Sequence, residues 1–113
     1  MPRDYRVSLE DMLTATTRVH ELTSSLSYDE FTKDRTKQEA VVRNLEIIGE
    51  AAKNVPREVR ANNPEIDWAK LGGLRDVLIH QYFAVDLEVI WDIILTKLPG
   101  LDVELRKMLA EQF

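Results

Sequence analysis

The run Arg75-Asp76-Val77-Leu78-Ile79-His80-Gln81-Tyr82 gathers the side chains best suited to chemistry. A histidine exchanges protons near neutral pH, and an arginine holds phosphate charge through several parallel N–H donors. On a helix Asp76 and His80 are neighbours at i and i+4, so the carboxylate can orient the imidazole and favour its protonated form. Arg75 and Tyr82, seven residues apart, share a face. Arg75 and His80 are five apart, which separates them by about 140° around a regular helix. Either the helix frays near His80, or a second copy of the chain completes the site, which favours a two-fold dimer with the motif at its seam. Such a set can cleave a phosphodiester without metal. The histidine takes the proton from a ribose 2′-OH, and the arginine stabilises the charge gathering on phosphorus. The substrate is then RNA and not DNA, because the nucleophile is the 2′-OH. On spacing alone, the competing reading is a surface arginine and a partly buried histidine in a salt-bridge network.

Other chemistries find less support. The two histidines, His20 and His80, have no His or Cys partner at ligand spacing, and the chain has no cysteine. No thiolate site, disulfide framework or histidine metal site is therefore expected, and no cofactor is called for. There is no Gly-x-Gly-x-x-Gly and no P-loop; Gly72-Gly73 alone says little about phosphate. His20, beside Arg18 and Glu21 on an amphipathic stretch, reads as a surface residue. Glu46 and Glu50 either face the cleft or are solvated carboxylates. Trp68 and Trp91 read as core or interface aromatics.

The motif needs a scaffold, and the pattern around it is helical throughout. Ser8 and Asp11 suggest a first helix start, followed by Leu9, Met12, Leu13, Thr16 and Val19 at helical spacing. Ser27 and Glu30 suggest a second, short helix carrying Tyr28 and Phe31. Thr36 and Glu39 announce a third, with the stripe Val41, Leu45, Ile48, Ala52, Val55. Gly49 within it leaves room for a close neighbour. Pro56 stops or restarts that helix, and Pro64 makes the next stretch irregular. Asp67 caps a turn with Trp68 and Leu71, Gly72-Gly73 breaks the chain, and Leu74–Tyr82 is helical. Asp86 caps a helix bearing Leu87, Ile90, Trp91, Ile94 and Leu98, which Pro99-Gly100 ends. Leu101, Leu105, Met108 and Leu109 support a last helix. Period-2 alternation and hairpin turns are absent. The expectation is an all-α, up-and-down antiparallel bundle of about four to five main helices, in a single domain over residues 1–113.

The 113 residues carry a net charge of −5, with 44% hydrophobic and 31% charged side chains. That profile suits amphipathic helices and argues against non-specific nucleic-acid binding. The excess of acid sits in 1–34 and 76–113; the middle, 35–75, is mildly basic, by design of a surface or by ordinary scatter. No apolar run approaches a membrane span, and the N-terminal Met-Pro-Arg-Asp-Tyr-Arg has charges where a signal peptide is apolar. A reducing, cytoplasmic setting fits, without membrane contact.

With the motif and its flanks in view, the sequence resembles the HepT-like proteins of the HEPN superfamily, which carry an Arg-x4-His-x-Tyr signature. Leu45-Glu46-Ile47-Ile48-Gly49-Glu50-Ala51 is similar to that family's long helix. Ile66-Asp67-Trp68 and Gly72-Gly73-Leu74-Arg75-Asp76 resemble the approach to the motif. His80-Gln81-Tyr82-Phe83, Val89-Ile90-Trp91 and Leu98-Pro99 resemble the family's segments at the end of the motif and C-terminal to it. The resemblance implies a homodimeric HEPN-like bundle with the motif in the dimer cleft. It implies a toxin ribonuclease of a type VII-like pair, cutting a tRNA or mRNA, with an MNT-type nucleotidyltransferase as antitoxin. That partner transfers AMP to the motif tyrosine. Arg75 and His80 would then be catalytic and Tyr82 the regulatory AMPylation site. Asp76 stands where many relatives have Asn, as a supporting polar residue. The alternative is a non-catalytic nucleotide- or partner-binding module working with a nucleotidyltransferase.

Overall fold

A computed structural model describes residues 4–80 and 86–112, with side chains along the motif helix described up to Leu74. The described chain is all-α, an up-and-down bundle whose four long helices are α1 (Tyr5–Thr23), α3 (Arg35–Lys53), α5 (Trp68–His80) and α7 (Leu98–Gln112). Shorter helices lie between them: α2 (Tyr28–Thr32), α4 (Arg57–Ala61) and α6 (Leu87–Asp92). A π-helical turn, Ile93–Lys97, joins α6 to α7. The central member is α3, with α1 and α5 packed against it; α7 lies on α1.

The stripe expected in α3 forms the middle of the core. Val41, Leu45, Ile48 and Ala52 are buried, as is Val55 just past its end, and so is Gly49. Leu9, Met12 and Val19 of α1 meet them, with Leu101, Leu105 and Met108 of α7. The hydroxyls of Thr16 and Thr23, buried on α1, donate to the carbonyls of Met12 and Val19, both at 2.8 Å. Such back-bonding satisfies a polar group that a core helix could not otherwise bury without loss.

Three terminus signals are realised as expected. Ser27 and Glu30 form a reciprocal capping box: the Glu30 N–H donates to the Ser27 hydroxyl (3.1 Å), and the Ser27 N–H to the Glu30 carboxylate (3.0 Å). Asp67 accepts from the Lys70 N–H at 3.2 Å, and Asp86 from the Glu88 N–H at 2.8 Å. Each satisfies a backbone donor that a helix start leaves orphaned.

Other local signals are overruled. Ser8 is not a cap: α1 begins a turn earlier, where Asp4 accepts from the Arg6 N–H at 3.0 Å. Ser8 lies buried inside the helix. An aspartate also brings a negative charge to the positive end of the helix dipole, which favours the earlier start. Likewise α3 is capped by Asp34, which accepts from the Lys37 N–H at 3.0 Å, and not by Thr36.

Gly72 and Gly73 do not break the chain but sit within α5, and no described glycine has a positive φ. Each costs about 1 kcal/mol against alanine in a helix interior, a cost that packing of α5 on α3 overrides. Pro99-Gly100 does not end a helix either; helical backbone is continuous from Leu87 to Gln112. The π turn explains this. The N–H of Leu98 donates five residues back, to the Ile93 carbonyl, so the ladder is already out of α register where Pro99 lacks a donor.

Candidate functional site

The N-terminal half of α5 is an anchor. Trp68 is buried, and its indole N–H donates to the Asn63 carbonyl at 2.9 Å. Leu71 and Leu74 pack on the core from the same helix. From there the helical backbone carries Arg75, Asp76 and His80, with His80 its last residue. Tyr82, with the expected helical continuation to it and most of the 83–86 connection, lies outside the described residues. Since the backbone is helical through His80, the positions of Arg75 and His80 stay about 140° apart around the axis. Asp76 and His80 are about 40° apart on the same count.

The level of each motif position along α3 follows from a single contact. A Cβ at Gly72, near the start of α5, would sit 3.5 Å from Cγ of Lys53, the last residue of α3. With α5 packed along α3 beyond that point, the two helices must run antiparallel. At about 1.5 Å per residue on each helix, positions 75–76 lie level with 49–50, and 79–80 level with 45–46. Gly49, at that level along the axis, is a position of α3 without a side chain. Glu46, level with His80, has a side chain only 20% exposed and pairs with Arg43 at 3.6 Å. Glu50 is exposed. Of the two carboxylates, Glu46 is therefore the one drawn toward the packed side of the helix.

Beyond the motif, Tyr28 packs on Trp91 with ring centroids 6.0 Å apart, and Trp91 on Phe31 at 5.1 Å. Desolvation raises the Tyr28 phenol above its ordinary value, with the carboxylates of Glu88 and Asp86 adding to the effect. Trp68 is thus a core residue, and Trp91 is a partly buried one packed against the core.

A groove of about 330 Å³ opens between α1 and α7, far from α5 in sequence, with His20, Thr17, Asp102 and Arg106 at its rim. His20 is an exposed residue there. Sequence reasoning missed this groove, because its walls come from opposite ends of the chain. It also missed the Arg43–Glu46 pair, although i,i+3 spacing of opposite charges was a usable sign. Among the described residues, no three His, Cys, Asp or Glu side chains gather as metal ligands, and no helix is long and apolar enough to cross a membrane.

Comparison with known proteins gives this geometry a setting. The family described as "Ribonuclease HepT-like" matches residues 12–108, a span that includes the whole motif. The chain is 39% identical over 112 residues to a Methanocaldococcus jannaschii protein named "Putative RNase MJ0127", covering 98% of this chain and 93% of that one. It is also 39% identical over 108 residues to a Thermococcus cleftensis protein named "Probable ribonuclease HepT", covering 96% and 98%. No solved structure matches. A family match across nearly all of α1 to α7, joined to an all-α bundle that carries Arg75 and His80 on one helix, leads to one conclusion: the chain belongs to the HepT-like ribonuclease family.

Proposed function

We propose that the protein is a metal-independent endoribonuclease toxin whose site is built by Arg75 and His80. The observation that carries this reading is their position on one continuous helix in a chain of a ribonuclease family. In the proposed reaction the neutral His80 imidazole accepts the proton of a ribose 2′-OH. The oxygen attacks the adjacent phosphorus, and the bond to the 5′-oxygen breaks. The departing oxygen takes up a proton, leaving a 2′,3′-cyclic phosphate and a 5′-OH end. Arg75 stabilises the charge on the non-bridging oxygens as the phosphorane forms. Asp76, one helical turn before His80, sets the orientation and proton affinity of the imidazole.

A separation of about 140° between the two positions is awkward for one chain, so the working site takes its arginine and histidine from two copies across a two-fold axis. The whole chain acts as this one domain, and its substrate is a tRNA or an mRNA.

Control rests on Tyr82. An MNT-type nucleotidyltransferase partner would transfer AMP from ATP to the phenolic oxygen, releasing pyrophosphate and placing a bulky anion beside the RNA path. Purified protein should cleave RNA in EDTA and leave cyclic phosphate ends. Full activity in an Arg75→Ala/His80→Ala double variant overturns the catalytic assignment. Co-expression with the nucleotidyltransferase should add mass in multiples of AMP, and Tyr82→Phe should abolish the addition. If the addition persists, the modified residue is another one.

A further inference from the structure

Helix α7 packs on α1, and the helical stretch from Leu87 to Gln112 leaves an outer face open that runs up to the rim of the groove between α1 and α7. On that open side Leu95 is 57% exposed and Val103 51%, with Pro99 also exposed between them. The three recur at intervals of four, and the π turn, wider than an α turn, keeps them close to one line. Gly100 lies beside them, and a Cβ there would meet nothing within 4 Å. The centre of the stripe is therefore both apolar and flat, as close helix–helix contact requires.

One pair of opposite charges is arranged about the same centre: Asp92 precedes the stripe, and Arg106 comes after it. Asp92 and Arg106 each lie seven residues from Pro99, and Leu95 and Val103 each lie four from it. Within one chain the first pair is about 21 Å apart along the axis and cannot meet. Arg106 pairs locally with Asp102 at 3.1 Å and Lys107 with Glu104 at 3.5 Å, but the two basic side chains stay 61% and 60% exposed, which keeps these contacts weak. Arg106 uses one of its five N–H donors in that contact.

From this symmetry we infer that the outward face of residues 88–107 is a self-association surface, which takes the same face of a second copy, antiparallel, about a two-fold axis at Pro99. That arrangement sets Asp92 of each copy against Arg106 of the other, and Leu95 against Val103. It is the reciprocal pattern of an isologous interface, in which one surface is its own complement. The partner helix also covers the mouth of the groove between α1 and α7, where Arg106 and Pro99 form part of the wall. The surface is separate from α5 and does not depend on the catalytic reading. If α5 supplies a two-fold seam of its own, the two axes together build a tetramer.

Light scattering on the full chain tests the inference. Leu95→Glu/Val103→Glu should halve the mass of the wild-type assembly with no loss of helical circular dichroism. Asp92→Lys alone, and Arg106→Glu alone, should each weaken association about tenfold or more by setting like charges together. The combined Asp92→Lys/Arg106→Glu variant should associate nearly as the wild type does, which only a contact between copies can produce. A monomeric wild type, an unchanged mass in the Leu95/Val103 variant, or charge variants whose effects simply add would each overturn it. RNA cleavage, read in parallel, reports on Arg75 and His80 and stands or falls separately.

Discussion

Helices α3 and α5 lie against each other yet are held in place by different means. Along α3 the apolar residues form one stripe, Asp34 caps the start, and Arg35–Glu39 (3.2 Å) and Arg43–Glu46 pair on its flank. It is a helix by its own sequence as well as by its packing. In α5 two glycines sit in the interior, Arg75 and Asp76 interrupt the apolar run, and Ile79 falls about 100° or more around the axis from Leu74, Val77 and Leu78. Its footing is the buried Trp68 end and the surface of α3. One helix is optimised for stability. The other keeps residues that stability does not ask for, which is the pattern expected of a segment that carries chemistry.

The strongest test of this contrast removes a side chain from each helix. His80→Ala should lower RNA cleavage about 10²- to 10⁴-fold, the usual range for a general base, while the thermal midpoint moves little. Ile48→Ala on α3 should do the reverse. Ile48 is fully buried, so the substitution should cost about 2–5 kcal/mol, read by denaturant unfolding, with cleavage per folded molecule retained. If the Ile48 variant loses cleavage at temperatures where it is fully folded, α3 is part of the site and the division fails.

The sequence disclosed these two helices unequally, for physical reasons. The α3 stripe is a property of period alone and needs no tertiary information, as does the Ser27–Glu30 capping box. The types and spacing of Arg75, Asp76 and His80 were equally plain. Gly72-Gly73 misled because a glycine signals a break only when nothing packs on the helix, and α3 does pack there. Pro99-Gly100 misled because a π turn shifts the hydrogen-bond ladder just before it. Ser8 misled because a better cap, Asp4, stood one turn earlier. The axial level of position 46 on α3 relative to position 80 on α5 follows only from the antiparallel register of the two helices, which no local pattern encodes.

The glycines give a finer test. Gly73 has open space where a Cβ would project, Gly72 has only ordinary contact with Lys53, and neither needs a positive φ. Gly73→Ala should therefore raise stability by up to about 1 kcal/mol. If cleavage falls while stability rises, the glycines keep α5 pliant for substrate. If cleavage is unchanged, they are merely tolerated.

The smallest effect concerns the capping box of α2, which holds Phe31 under Trp91. The Glu30 carboxyl is held below its ordinary value of 4.5, first by the Ser27 backbone N–H that donates to it and then by the Ser27 hydroxyl. The folded state thus favours the ionised form. Its contribution is fully present above the unfolded pKa and is lost as pH falls through the lower folded value. Compared with wild type, Glu30→Gln should have a slightly lower thermal midpoint at neutral pH. The gap should close as pH falls below 4.5 and on through the lower folded value, until the wild-type carboxyl is protonated in both states. A gap that stays constant over that range would mean the Ser27–Glu30 contact stabilises α2 by geometry and not by charge, making this helix start depend on packing as α5 does.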